Sequence, residues 1–487
     1  MNTYKKVLFI ILCLSLFIKP FLGQIIPDKT IYTRGSFPSV SMIGDSTLLL
    51  AYSDIYTGVK FLPLDTLLNT LQDTFTINEP GSTSPCIDIR NNMIALCWTA
   101  NYVMYDEIYS TVFDYGTIPE IDTVLRLGKV PSDNNLGGSQ NCFINDSTIL
   151  TVWYGATAGD KYKIWGRFSS ISNQPFGSAF IINEEDQAEI DHKRPRVCSF
   201  PSDSGFVVTW IDDRGGEEQI YGRLFSAEGM AKDSSFLITD SLHFSNEFYY
   251  TCLKMDNNGN FVVTWSNSVN SVWNIYYRWY NKDGMPLTPI VTLTNESDKV
   301  NGYSDVDCHI QNDGKIVMIW ESDKDTYWRV YAQRFSSDRT PLDEPFEISS
   351  DARPYNQYTG KVLLHNDKIY TFWAESTLDL WVNVLDFNNP VVSIAENTLP
   401  THFTLSQNYP NPFNPITTIG FQVPESSHVT LQIFDITGRL VETLVNNFKE
   451  AGNWDVKWNA GNYSSGIYIY RLEYLDKHIS RKMLLIK

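Results

Sequence analysis

Seven times between Ile25 and about Asn389 the chain returns to one pattern, an apolar run that ends in an aromatic residue, and that recurrence limits the fold more than any other feature. The anchors are Tyr52, Trp98, Trp153, Trp210, Trp265, Trp320 and Trp373, at intervals of 46, 55, 57, 55, 55 and 53 residues. About ten residues after the anchor comes a second run, as in Ile164-Trp165-Gly166-Arg167-Phe168 and Ile220-Tyr221-Gly222-Arg223-Leu224-Phe225. A third short apolar run, such as Phe180-Ile181-Ile182 or Phe236-Leu237-Ile238, closes the unit. With the strand before the anchor, each unit has four short antiparallel strands, and four-stranded units repeated radially are propeller blades. The expected fold is therefore all-β, a seven-bladed β-propeller over residues 24–389. The seventh unit lacks a fourth strand, and Lys29–Thr33 is expected to supply it from the N-terminal side and close the ring. Aromatic residues make up 14% of the chain, as suits strands.

The unit resembles an uncharacterised repeat of secreted bacterial proteins, of the form V-x-W-x-D-x-R followed by I-Y-G-R-x-F. Trp210, Asp212, Arg214, Ile220, Tyr221, Gly222, Arg223 and Phe225 match it best.

The chain begins with Lys5-Lys6, a 12-residue apolar run from Val7 to Ile18, and Lys19-Pro20-Phe21-Leu22-Gly23. That is the layout of a secretory signal peptide over residues 1–23, too short to span a bilayer. The mature chain is expected to have no transmembrane segment. The first 23 residues hold three Lys and no acid, so 35 basic against 56 acidic residues leaves a charge of −21 beyond them. So acidic a chain is a poor nucleic-acid binder.

Residues 390–399 read as a linker, and the segment after it is the most specific text in the sequence. It runs Asn408-Tyr409-Pro410-Asn411-Pro412-Phe413-Asn414-Pro415, then Asp435-Ile436-Thr437-Gly438-Arg439, Gly452, Gly466-Ile467-Tyr468 and finally Lys482. These residues resemble the type A C-terminal sorting domain of the bacterial type IX (Por) secretion system, over 400–487. A similar strand pattern occurs in an Ig-like domain of flagellar hook-assembly proteins. Alternation at Thr417–Val423, His428–Phe434, Gly452–Trp458 and Gly466–Leu475 independently predicts a small Ig-like β-sandwich. The resemblance implies that the type IX machinery is a partner, that the route runs through the periplasm, and that the protein is secreted or held at the cell surface.

Six cysteines follow residue 23, and Cys86, Cys142, Cys198, Cys252 and Cys308 lie 11 to 13 residues before their anchors. They read as small apolar fillers of innermost strands, and Cys142, Cys198, Cys252 and Cys308 are expected to stay unbridged because equivalent positions should not meet. If Asn91-Asn92 is a two-residue turn, Cys86 and Cys97 face each other, and an oxidising compartment would permit a bond there. Neither cysteines nor histidines have ligand spacing, so no metal and no cofactor are expected. Gly44-Asp45-Ser46 resembles a hydrolase nucleophile motif, but Ser147 stands six residues before Trp153 as Ser46 does before Tyr52, which marks both as turns.

The binding-face candidates lie just past the anchors: Asp54, Asp212, Asp213, Arg214, Glu321, Asp323 and Glu375. Repeat geometry puts them on one face of the disc, with the inter-blade connections carrying Arg194, Arg196 and Arg353. Propellers gather loops from several blades at that mouth. Two functions fit this face. One is a secreted or cell-surface protein that binds a glycan or a protein without turning it over. The other is an extracellular hydrolase or lyase acting on polysaccharide through an acidic site at the propeller mouth. A convergent acid pair at the mouth separates them.

Overall fold

In the computed structural model, residues 24–388 and 403–487 are described, apart from 34, 55–56, 73, 78–81, 102–104, 118–123, 132–137, 157–160, 185–189, 215, 241–249, 270–271, 295–304, 324–326, 349–354, 377–378, 406, 409–410, 425–426, 450–451 and 476. The segments read as signal peptide and linker, and Arg353, Tyr409 and Pro410, lie outside the described residues. The chain divides into two compact units, Met1–Val391 and Val392–Lys487.

The first unit contains seven four-stranded antiparallel sheets. From the inside outward, blade 1 is Gly35–Ile43, Thr47–Asp54, Gly58–Asp65 and Phe75–Ile77. The same meander gives blades 2 to 6, whose inner strands are Ser82–Arg90, Gln140–Asn145, Lys193–Ser199, Thr251–Met255 and Val306–Ile310. Blade 7 has Gln357–His365, Lys368–Glu375 and Asp379–Asp386, and its fourth strand is Gln24–Thr33, paired with Asp379–Asp386. Each inner strand neighbours those of the blades before and after it, and blade 7 neighbours blade 1, so the ring is closed. The expected closing residues Lys29–Thr33 lie within that strand, with Lys29 opposite Val382 and Thr33 opposite Asp379.

The anchors occupy equivalent places. Trp98, Trp153, Trp210, Trp265, Trp320 and Trp373 stand opposite Tyr109, Trp165, Tyr221, Tyr276, Tyr331 and Trp381 of the third strand, and all six anchors are buried. Side chains of a second strand alternate between the two neighbouring blades. Phe206, Val208 and Trp210 pack toward blade 3, whereas Val207 and Ile211 pack toward blade 5. Both faces of each sheet are therefore buried, which is why the second strands read as unbroken apolar runs.

The glycine in I-Y-G-R-x-F has a packing cause. Gly222 stands opposite Phe236 of the outer strand, and a Cβ there would come within 2.7 Å of the Phe236 ring. Gly166 opposite Phe180 repeats the arrangement, and Ala332 faces Phe346. Where blade 5 carries Tyr277 instead, the outer residue is Val291. In blades 3 to 6 the large group is thus supplied by one strand or the other, whereas in blade 1 Phe61 and Phe75 face each other and stack with ring centres 4.5 Å apart.

The second unit is a two-sheet sandwich. One sheet is Thr404–Leu405, Ile416–Val423 and Gly452–Asn459; the other runs Leu440–Lys449, Ser427–Asp435, Gly466–Tyr474 and Lys477–Leu485. Leu440–Lys449 and Lys477–Leu485 were not among the strands expected from alternation, because both are edge strands with mostly exposed side chains. The sorting motif builds this unit. Asn408 is buried, receives a hydrogen bond from Gln407 and donates through Nδ2 to Thr417 Oγ1 at 2.9 Å, while its amide donates to Tyr470 Oη. Asn411 Oδ1 accepts from the Leu484 amide, and Phe413 is buried in the core beside Trp458, followed by the surface pair Asn414-Pro415. Pro412 follows Asn411 through a cis bond. The Asp435 carboxylate accepts from the amides of Thr437 and Arg439 and from the Arg439 guanidinium, with Gly438 at φ 84° closing the turn. Gly452 and Gly466 open strands, Tyr468 Oη donates to Ser464 O, and Lys482 lies exposed on the edge strand. Among the described residues, no helix is long and apolar enough to cross a membrane.

Candidate functional site

Neighbouring blades cannot share a β-ladder, so the inner strands are tied by side chains. The Asp88 carboxylate accepts from the Phe143 amide of the next blade at 2.8 Å, and Asp307 accepts from Val362 at 3.1 Å. Ser39 does the same for Ile87. Thiols and a guanidinium add to the set: Cys198 donates to Leu253 O and Arg196 Nε to Thr251 O. Charged residues near the axis are thus largely structural, each satisfying a backbone group that no sheet partner reaches.

The same holds for most of the sequence-derived candidates. Asp54, Asp212 and Glu375 end the second strands of blades 1, 4 and 7, and all three are buried. Asp54 pairs with Lys60 at 2.9 Å. Asp212 accepts from the Trp210 indole at 2.8 Å and from the Arg214 guanidinium, which lies 4.0 Å from the centre of the Tyr221 ring and also reaches Glu184. The W-x-D-x-R run is therefore a staple holding the strand end, with His192 packed 3.6 Å from the same carboxylate. Asp213 is exposed in the turn beyond it, with its carbonyl accepting from Gly216. Glu375 stands opposite Gln357, and Asp323 is half-buried just past the blade 6 strand.

Two of the candidates, Arg194 and Glu321, belong to one cluster at the mouth between blades 4 and 7. The Arg194 guanidinium lies 5.5 Å from the centre of the Tyr250 ring. Asp305, at the head of the blade 6 inner strand, accepts at its carbonyl from the Glu321 amide, and its own amide donates to Glu321 Oε2 at 3.4 Å. Burial pushes the Asp305 carboxyl up, while Lys361, Arg196 and Arg194 draw it down. Burial, followed by the Asp305 charge, lifts Glu321 well above the usual carboxylate range despite amide bonds from Gly360 and Asp305. Burial and the same carboxylate push the Tyr250 phenol up to about 12. The acid pair exists, but Glu321 is only 2% exposed and clasps blade 6 to blade 7 through Gly360, so it is walled off from a ligand.

Sequence reasoning missed Tyr250, Asp305 and Lys361. Tyr250 and Asp305 stand one residue before an inner strand, a position that carried no recurring residue type to reveal it. The same face carries Tyr355 and Tyr358, 42% and 36% exposed, at the head of blade 7. Among the described residues, no three His, Cys, Asp or Glu are arranged to hold a metal ion.

The family model described as a secretion system C-terminal sorting domain matches residues 407–487. No curated protein matches the chain. Among solved structures, the chain is similar to the polysaccharide lyase Uly1, at 7% identity over 72% of this chain and 90% of that one, with a TM-score of 0.46. A protein from Dyadobacter fermentans shows 9% identity over 74% and 98%, TM-score 0.43. PorZ, a surface component of the type IX secretion system of Porphyromonas gingivalis, shows 13% identity over 94% and 75%, TM-score 0.26.

Proposed function

We propose that this chain, which ends in a type IX sorting domain and is exported through the periplasm to the surface or the medium, is a glycan-binding propeller. The observation that carries the reading is one face on which Tyr250, Tyr355 and Tyr358 stand with Arg194 and Asp305. Ligand sites combine apolar and aromatic surface with a few placed polar groups, and tyrosine rings with a guanidinium and a carboxylate suit a sugar ring and its hydroxyls or acidic substituents. Binding without turnover is favoured because Glu321, Asp212 and Asp54 already spend their carboxylates inside the fold.

The test is affinity electrophoresis and calorimetry of the exported protein against neutral and uronate-rich polysaccharides. Tyr358→Ala and Arg194→Ala should each weaken binding roughly tenfold, on the order of one anchor contact. Failure of every polysaccharide to bind, or equal binding by both variants, counts against the reading. Release of reducing ends or unsaturated products would replace it with the hydrolase or lyase.

A further inference from the structure

The six cysteines are free thiols, and the expectation that innermost-strand cysteines keep apart fails at one place: Cys252 and Cys308 approach with their Sγ atoms 4.0 Å apart. The reason is a difference of one residue. Cys252 stands opposite Thr264, one before the anchor Trp265, whereas Cys308 stands opposite Met318, two before Trp320. A slip of one reverses the face. Cys252 therefore points at blade 6 and Cys308 back at blade 5, while Cys142 and Cys198, opposite Leu150 and Val207, point one way around the ring.

We propose that Cys252 and Cys308 are a site of oxidative modification, joined during export as a disulfide that bridges blades 5 and 6. Closing the gap needs the sulfurs to approach by about 2 Å, to the usual bond length near 2 Å. The oxidant is a protein or small-molecule disulfide of the periplasm, a compartment that permits such bonds. The Cys252 thiolate attacks one sulfur of that disulfide, displaces the other as a thiol, and forms a mixed disulfide. Cys308 then gives up its proton, attacks Cys252 Sγ and releases the second thiol, so two electrons and two protons leave the pair. Both sulfurs are buried between the docked blades, so the exchange takes place before blades 5 and 6 close on each other, and the two thiols can trade roles with the same balance.

The test uses wild-type protein recovered from the medium or cell surface, alkylated in denaturant before any reduction and mapped as non-reduced peptides. A linked Cys252–Cys308 peptide should account for most of the material, with Cys142 and Cys198 alkylated. The link should vanish on dithiothreitol treatment and be absent from Cys308→Ser. Alkylation of both Cys252 and Cys308, or their linkage to other cysteines, overturns the proposal. This mapping is independent of glycan binding, so either reading can fail alone.

Discussion

At the scale of the residue, polar groups near the axis are exchanged between blades. His309, on the inner strand of blade 6, shows how this reaches stability. Burial holds its pKa down to about 3, Lys254 adds to that, and Asp307 opposes it. The ordinary value is about 6.5 in an unfolded chain, so between those values the unfolded state binds the extra proton and folding is penalised. The contribution is intact above about pH 6.5 and is lost as the pH falls toward 3, by about 1.4 kcal/mol per unit for a full proton. Asp305 and Glu321, whose carboxyls are raised, act in the opposite direction, so the comparison must be with a single variant. Denaturation of wild type and His309→Gln from pH 7 to 4 should show a shallower acid loss in the variant; parallel curves would remove His309 as a cause.

At the scale of the element, blades 3 to 6 divide volume between their two outer strands. Gly222→Ala should cost about 1–3 kcal/mol by overpacking against Phe236. Phe236→Leu should recover part of that loss in the double variant, measured as a coupling in denaturant melts. A second expectation concerns Gln24–Thr33. This strand covers the otherwise open edge of blade 7 and brings Ile31 to the apolar cluster shared by blades 7 and 1. Starting the chain at residue 35 should lower the propeller's unfolding midpoint by about 5 °C, as several kcal/mol would in a domain of this size. An unchanged midpoint would mean that the ring does not rely on its N-terminal closure.

At the scale of the whole molecule, the chain joins a closed ring to a sandwich that carries the export signal. We infer that residues 400–487 serve export and are dispensable for the ring, which has its own apolar clusters and its own closing strand. In a host with this secretion system, a chain ending at residue 395 should accumulate, folded, in the periplasm. Normal yield of the truncated chain at the surface or in the medium would contradict the sorting role. Loss of its fold, read by circular dichroism and proteolysis, would instead contradict the boundary.

The sequence by itself determined the seven units, the closing strand and the sorting motif, because each rests on a pattern local in the chain: an apolar run, a spacing, a turn. Even the opposition of Cys86 and Cys97 was legible, since Asn91 and Asn92 both adopt positive φ in a two-residue turn. Tertiary structure alone decided what happens between blades. Inner strands of blades 1, 2, 4 and 7 carry register shifts near their heads, at Ser36/Ser39, Thr83/Cys86, Lys193/Arg196 and Tyr358/Lys361. Such irregularities re-aim side chains in ways that a mean repeat of 54 residues does not encode. Asp212 stands two residues past Trp210 and Glu321 one past Trp320, so they face opposite sides of their sheets and became a staple within one blade and a clasp between two. The one-residue difference that turns Cys252 and Cys308 toward each other lies in the spacing, 13 residues to Trp265 against 12 to Trp320 across turns of equal length. Tyr250 and Asp305 reached the mouth unannounced, because the partner met across a gap between sheets is set by packing, and local periodicity carries no record of it.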